Sequence, residues 1–138
     1  SLPGLHTASP VKGARAAVSP VKIALEAYPG LLAREVLGHR SYKADDKARQ
    51  TPERLIARKD LITALEMGQS RLGLRLKLSH AQRDVLADDP SGDCLDAVLC
   101  LVQAAWASRR GPPLFGMPQD MDRLEGWILT AGAAQAPD

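Results

Sequence analysis

The sequence predicts an α/β domain that is rich in helices and has a small sheet. Residues 21–28 alternate apolar and polar side chains, which is the pattern of a half-buried strand. Residues 92–108 repeat large apolar side chains at helical spacing and predict a central buried helix. Residues 124–130 contain a short apolar run that fits a final strand. Short strands around one long apolar helix favour the α/β class.

Length and composition are those of a single globular domain. The chain has 138 residues, enough for one modest core, so we expect one domain over residues 1–138. Residues 1–19 are rich in Pro, Gly, Ser and Ala, and we expect them and residues 131–138 to be loosely ordered ends. The formal net charge of +2 is too small to predict a nucleic-acid partner by itself.

Cysteine use and hydropathy favour a cytoplasmic protein. Cys94 and Cys100 lie on different faces of one predicted helix, so they cannot form a disulfide with each other. We interpret them as small buried side chains in a reducing compartment. No apolar run is long enough to span a bilayer and no signal peptide opens the chain, so we expect no membrane contact.

The first predicted strand, over residues 21–28, carries a candidate site residue. Glu26 lies near the carboxyl end of this strand, on its more polar face. Ligand sites of α/β sheets gather beyond the carboxyl ends of strands, which makes Glu26 a candidate ligand. A glutamate that faces solvent on a half-exposed strand explains the same pattern.

Local start and stop signals predict the helices. Gly38 ends a short helix over 31–37. Thr51 and Pro52 begin a helix that should run to Met67. Three further segments are predicted as follows: a helix from the capping box Ser79-x-x-Gln82 to about Ala87, a strand or amphipathic connector over 71–78, and a Pro/Gly loop over 109–122.

A basic cluster is expected beside the loop over residues 38–50. Arg54 and Arg58 lie one turn apart on a predicted helix, and Arg40, Lys43 and Lys47 belong to the loop before it. Together these cations are candidates for cradling phosphates, which would make nucleic acid the partner. A solvated basic face accounts for the same residues.

The central helix over 92–108 contains an aspartate that needs an explanation. A turn precedes it, with Ser91 as the expected N-cap. Asp96 lies inside the apolar run, and a buried carboxylate is costly unless it is paired, protonated or bound to a cation. Asp93 lies one turn earlier on the same face, so the two carboxylates could share Mg²⁺. An ion pair from Asp96 to Arg54 or Arg58, and a favourable helix-dipole position for Asp93, remain the structural alternatives.

Three short motifs occur in an order that resembles a known family. They are Glu-x-Tyr-Pro at 26–29, Asp-x-x-Asp-Ala-x-x-Cys at 93–100 and Gly-Trp-Ile at 126–128. The set resembles a bacterial and archaeal family of unknown function whose members are predicted nucleases of the ribonuclease H-like fold. The aspartate pair also looks like that of RuvC-type junction resolvases. The resemblance covers about residues 21–130 of the sequence.

The resemblance implies a metal-dependent phosphodiesterase. Glu26, Asp93 and Asp96 would then be the catalytic ligands of Mg²⁺ or Mn²⁺ in a two-metal site. Folds of this class begin with three strands, the first of which carries an essential aspartate, whereas the first acidic residue here is Glu26. We therefore expect the C-terminal part of such a domain, with an incomplete site.

Two consequences follow from that departure. A non-catalytic nucleic-acid-binding or protein-interaction module that retains the fold is the alternative function. A sheet reduced to two or three strands also leaves strand edges unpaired. We therefore expect a homo-oligomer, or a missing N-terminal segment, to cover those edges.

Overall fold

Helices carry the fold. The computed structural model describes residues 5–7, 22–122, 124, 127, 128, 130 and 131. The helices within these residues are α1 (Pro29–Leu37), α2 (Pro52–Glu66), α3 (His80–Ala87) and α4 (Asp93–Arg110), and the strands are β1 (Leu5–Thr7) and β2 (Lys22–Ala24). The predicted loose ends, residues 1–19 and 131–138, lie outside the described residues except for Leu5–Thr7 and Ala131.

The predicted α/β class, with its partial ribonuclease H-like sheet, is wrong. Within the described part of the chain, the strands form one parallel pair of three residues each, with Leu5 opposite Lys22. The strand predicted over 21–28 is limited to Lys22–Ala24 at its start. A pair this short has no sheet face on which a helix could bury its apolar stripe, so helix packing on helix forms the core instead.

The other two predicted strands also fail among the described residues. Residues 71–78 contain no strand, although Leu76 N–H donates to the Leu65 carbonyl at 2.9 Å. Of residues 124–130, those at 124, 127, 128 and 130 are described, and none of them is in a strand. We expected a second copy because a small sheet would leave long strand edges unpaired. The described residues contain no such edge, so they give no support to that expectation.

Helices α1 and α2 follow their sequence signals. Thr51 Oγ1 accepts the Arg54 N–H at 3.3 Å, and Pro52 occupies the first helical position of α2, as predicted. Helix α1 begins earlier than predicted, at Pro29, because proline fits the first turn of a helix, and Gly38 ends it with φ 65°. α1 contacts both α2 and α4.

The capping box of α3 is confirmed. Ser79 Oγ accepts the Gln82 N–H at 3.1 Å, and Gln82 Oε1 accepts the Ser79 N–H at 2.9 Å. The leucines of the preceding segment alternate inward onto the core without a partner strand. The segment is therefore the amphipathic connector that the alternation also allowed.

The first turn of α4 is capped mainly by Asp89, and Ser91, which is not the N-cap residue, accepts the Asp93 N–H at a longer 3.4 Å. Gly92 is the N-cap residue, in the left-handed region with φ 73°, and glycine has no side chain with which to cap the helix. Asp89 accepts the Cys94 N–H at 2.9 Å and the Ser91 hydroxyl at 2.7 Å. These two hydrogen bonds lower the pKa of Asp89, and the bond from the Cys94 backbone has the larger effect.

α4 lies against α1 and α3 and supplies the centre of the core. Its inward side chains include Leu95 and Leu99, both fully buried, and Trp106. Burial of each such side chain contributes roughly 1.5 to 3 kcal/mol. The helix is not buried all round, since Cys94 and Leu101 are exposed. No helix in the described part of the chain has both the length and the apolar character needed to cross a membrane.

Candidate functional site

A cleft of about 370 Å³ lies where the first turn of α1 meets the loop that follows this helix. We call it the basic cleft, and its basic side chains are those of Arg34, His39, Arg40 and Lys43. Tyr28 and Tyr42 add aromatic surface. No Asp or Glu of the described residues lines it. A concave surface with several cations and no anion favours a negatively charged ligand.

Helix α1 and its C-cap place two of these side chains. Arg34 lies in the last turn of α1, and Gly38 then turns the chain through a positive φ so that His39 faces the same cleft. Both residues are exposed. Neither side chain has a hydrogen bond or an ion pair with another described residue, so both are available to a ligand.

Arg40 is held by a surface ion pair. Its guanidinium donates to Asp60 Oδ2 of α2 at 2.8 Å, and both side chains are about half exposed. Exposed pairs of this kind contribute at most about 1 kcal/mol. Arg40 can therefore exchange Asp60 for an anion in the cleft at little cost.

Lys43 and Tyr42 explain the aspartate of the central helix. Asp96 is largely buried, with its side chain 17% exposed. The Tyr42 hydroxyl donates to Asp96 Oδ1 at 2.6 Å, and Lys43 Nζ pairs with Asp96 Oδ2. Sequence reasoning expected Arg54 or Arg58 as the ion-pair partner, and the loop lysine takes that role instead. Both oxygens of the carboxylate are thus satisfied by the loop after α1.

Tyr42 acts as the hydrogen-bond donor in this arrangement. Burial, and after it the hydrogen bond to Asp96, raise the pKa of the Tyr42 phenol well above its usual range. The phenol therefore keeps its proton at neutral pH. Lys43 Nζ also lies 5.6 Å from the centre of the Tyr42 ring, close enough for a cation–π contact.

Gly92 makes room for Lys43 at the start of α4. A Cβ at this position would lie 2.8 Å from Lys43 Cβ and 3.0 Å from Lys43 Cδ. The positive φ of Gly92 independently disfavours a side chain there. The glycine that the sequence marks as a turn is thus also a site of close approach.

The structure does not assemble Glu26, Asp93 and Asp96 as a metal centre. Within the described residues, no group of three or more His, Cys, Asp or Glu side chains is placed to hold a metal ion. Glu26 and Asp93 are exposed, the latter in the first turn of α4. Asp96 does not fit Mg²⁺ or Mn²⁺ as arranged, because the ammonium of Lys43 occupies one of its oxygens and Tyr42 the other.

Arg54 and Arg58, the other predicted phosphate contacts, serve mainly to brace the loop. Arg58 is 5% exposed, and its guanidinium donates to the Ala87 carbonyl at 2.8 Å and the Tyr42 carbonyl at 3.0 Å. Burial lowers the pKa of Arg58, although nearby aspartates oppose this. Arg54 donates to Ser41 Oγ at 3.3 Å and to the Arg49 carbonyl. Of the predicted cations, Arg40 and Lys43 line the basic cleft, and Lys47, Arg54 and Arg58 do not.

Three residues of this region escaped sequence reasoning. Tyr42 is 8% exposed although it lies in a loop without apolar periodicity, and its only signal is to be the one aromatic among charged neighbours. Arg34 and His39 carry no signal at all, because their proximity depends on the turn at Gly38.

No protein-family model, no curated protein and no solved structure matches the chain, so its resemblance to a nuclease family stays a prediction from the sequence.

Proposed function

We propose that the chain is a non-catalytic nucleic-acid-binding module that holds phosphate groups in the basic cleft. The observation that carries this proposal is the grouping of Arg34, His39, Arg40 and Lys43 around one concavity without a carboxylate in its lining. Contacts from Lys and Arg to phosphates supply most of the affinity of proteins that bind nucleic acid without sequence preference.

The contacts that these four side chains make support binding. Arg34 and His39 have no partner among the described residues, and the pair of Arg40 with Asp60 lies at the surface. A phosphate held by Arg34, His39 and Arg40 therefore needs no core contact to break, whereas Lys43 is already paired with Asp96. Pro29 at the start of α1 and Gly38 at its C-cap both line the cleft, so the two ends of the helix dipole oppose each other there and the basic side chains supply the positive potential.

The metal-dependent nuclease activity expected from the resemblance remains a prediction from the sequence. It needs Asp96 as a metal ligand, whereas Asp96 joins α4 to Tyr42 and Lys43. That arrangement supports a bracing role for the carboxylate. We therefore favour binding without catalysis.

The proposal is tested by fluorescence anisotropy with a labelled oligonucleotide and an Arg34→Gln variant. Arg34 contributes a cation to the cleft, so its loss should weaken binding and lower the slope of log K against log salt by about 0.7 for a single strand. Arg109→Gln is the matched control, because Arg109 is also an exposed arginine in the last turn of a helix and does not line the cleft. It should leave both quantities nearly unchanged.

Three outcomes would contradict the proposal. Binding that does not change between low and high salt would show that phosphates are not the target. Equal losses for Arg34→Gln and Arg109→Gln would show that net charge, and not the basic cleft, determines affinity. A chain that binds no nucleic acid at any salt concentration would instead favour the protein-interaction module.

A further inference from the structure

We propose that the cleft recognises single-stranded nucleic acid, with a base stacked on Tyr28 and the adjoining phosphate among the four basic side chains. This inference rests on the proposed function and adds the class of ligand to it. It assigns a role to Tyr28, which is exposed and is not among the hydrogen-bond partners of Asp96.

Tyr28 is an exposed aromatic side chain at a fixed position. The residue is 47% exposed and lines the basic cleft. Its backbone carbonyl accepts the Leu31 N–H at 3.2 Å and the Gln103 Nε2–H at 3.2 Å. Gln103 is fully buried in α4, so this hydrogen bond ties Tyr28 to the core. The aromatic ring is thereby presented to solvent from an anchored backbone.

Gly30 leaves room for the Tyr28 ring to lie close to the first turn of α1. A Cβ at Gly30 would lie 3.0 Å from Tyr28 Cε2 and 3.2 Å from the Tyr28 hydroxyl oxygen. The ring therefore lies against the glycine backbone on one side, and about half of the residue remains exposed. An aromatic ring held in this way has little side-chain freedom to lose when a flat partner stacks on it.

The cleft combines this ring with phosphate-binding groups over a short span. Tyr28, Arg34, Arg40 and Lys43 line the same volume of about 370 Å³, which falls in the range of small-molecule sites and suits one nucleotide rather than a helix. Aromatic platforms beside a positively charged groove are the usual means of binding single strands. A duplex keeps its bases stacked inside and offers Tyr28 no free base face.

The experiment compares two probes that carry the same phosphates. One is a fluorescein-labelled oligothymidylate of about ten nucleotides. The other is an abasic oligomer of the same length. Tyr28→Leu should weaken binding of oligothymidylate about tenfold, which corresponds to about 1.4 kcal/mol, and leave the abasic oligomer unaffected. Tyr28→Phe keeps a ring and should bind oligothymidylate nearly as the unmodified chain does.

A second variant tests the position of the ring without removing it. Gly30→Ala places a methyl group against Tyr28 and should displace the ring. We expect a smaller loss for oligothymidylate, and none for the abasic oligomer. Far-UV circular dichroism checks that both Tyr28→Leu and Gly30→Ala remain helical, and Gly30→Ala carries the test if Tyr28→Leu does not fold.

The outcomes separate this inference from the proposed function. If Tyr28→Leu weakens both probes equally, or if a duplex of the same length binds more tightly than oligothymidylate, stacking on Tyr28 is wrong. In either case Arg34→Gln still reports on phosphate binding. If neither probe binds to the unmodified chain, the proposed function fails first.

Discussion

At the scale of single residues, Asp96 of α4 is held at both of its carboxylate oxygens by Tyr42 and Lys43. Its position inside an apolar run correctly indicates that the carboxylate needs a partner. The partner could not be identified from spacing, because Lys43 lies 53 positions away in a loop with no regular pattern. A tyrosine and a lysine at its two oxygens make this carboxylate a structural anchor. The exposed side chains of Arg34 in α1 and His39 in the loop after it are then the ones available to a ligand.

The role of Asp96 is tested by Asp96→Asn. Asparagine can still accept from Tyr42 but loses the ion pair with Lys43, so the free energy of unfolding should fall by about 1 to 2 kcal/mol in urea titrations. Nucleic-acid affinity should stay equal or rise, because Lys43 is released toward the cleft. The exposed Asp93→Asn should cost no more than about 0.5 kcal/mol. Loss of binding without loss of stability would instead point to a direct role of Asp96 at the ligand.

At the scale of elements, helix boundaries were predictable where the chain carries its own capping chemistry. Thr51 with Pro52, and Ser79 with Gln82, need only residues within one turn. Strands need a partner far along the chain, and no local pattern supplies one. The leucines over 71–78 show the difference, since their alternation matches an extended segment lying on helices.

The stability of the start of α4 should depend on pH, because Asp89, which lies outside the helix, accepts a hydrogen bond from its first turn. The pKa of Asp89 is lowered in the folded state, chiefly by the hydrogen bond from the Cys94 backbone. Its stabilising contribution is therefore complete above the unfolded pKa of about 4 and is lost as the pH falls through the folded value. Asp89→Asn should cost about 1 kcal/mol at neutral pH, because the amide keeps only one acceptor oxygen for the two hydrogen bonds and removes the negative charge at the start of α4.

Urea titrations over a range of pH measure this dependence. The difference in the free energy of unfolding between the unmodified chain and Asp89→Asn should shrink as the pH falls below about 4. The neighbouring Asp88→Asn serves as the control, since Asp88 is exposed and makes no described side-chain hydrogen bond to α4. A difference that is constant with pH would contradict the capping role.

At the scale of the whole molecule, one short segment of the chain lines the cleft, and residues far away in the sequence hold that segment in place. Every lining residue lies between positions 28 and 43. Its walls are held by Asp60 and Arg58 of α2 and by Asp96 and Gln103 of α4. The sequence shows the charges of this segment, and it predicted two of the lining residues, Arg40 and Lys43, as phosphate contacts. Their convergence on one concavity was not readable, because it depends on helices that pack from elsewhere.

Chemical-shift mapping of the labelled chain during titration with oligothymidylate tests the central claim most directly. If the basic cleft binds nucleic acid, the largest changes fall on backbone amides between positions 28 and 43, together with the side-chain signals of Arg34 and His39. Amides around Arg109 should remain in place. Changes centred on α3, or on the exposed face of α4 that includes Leu101, would contradict the account.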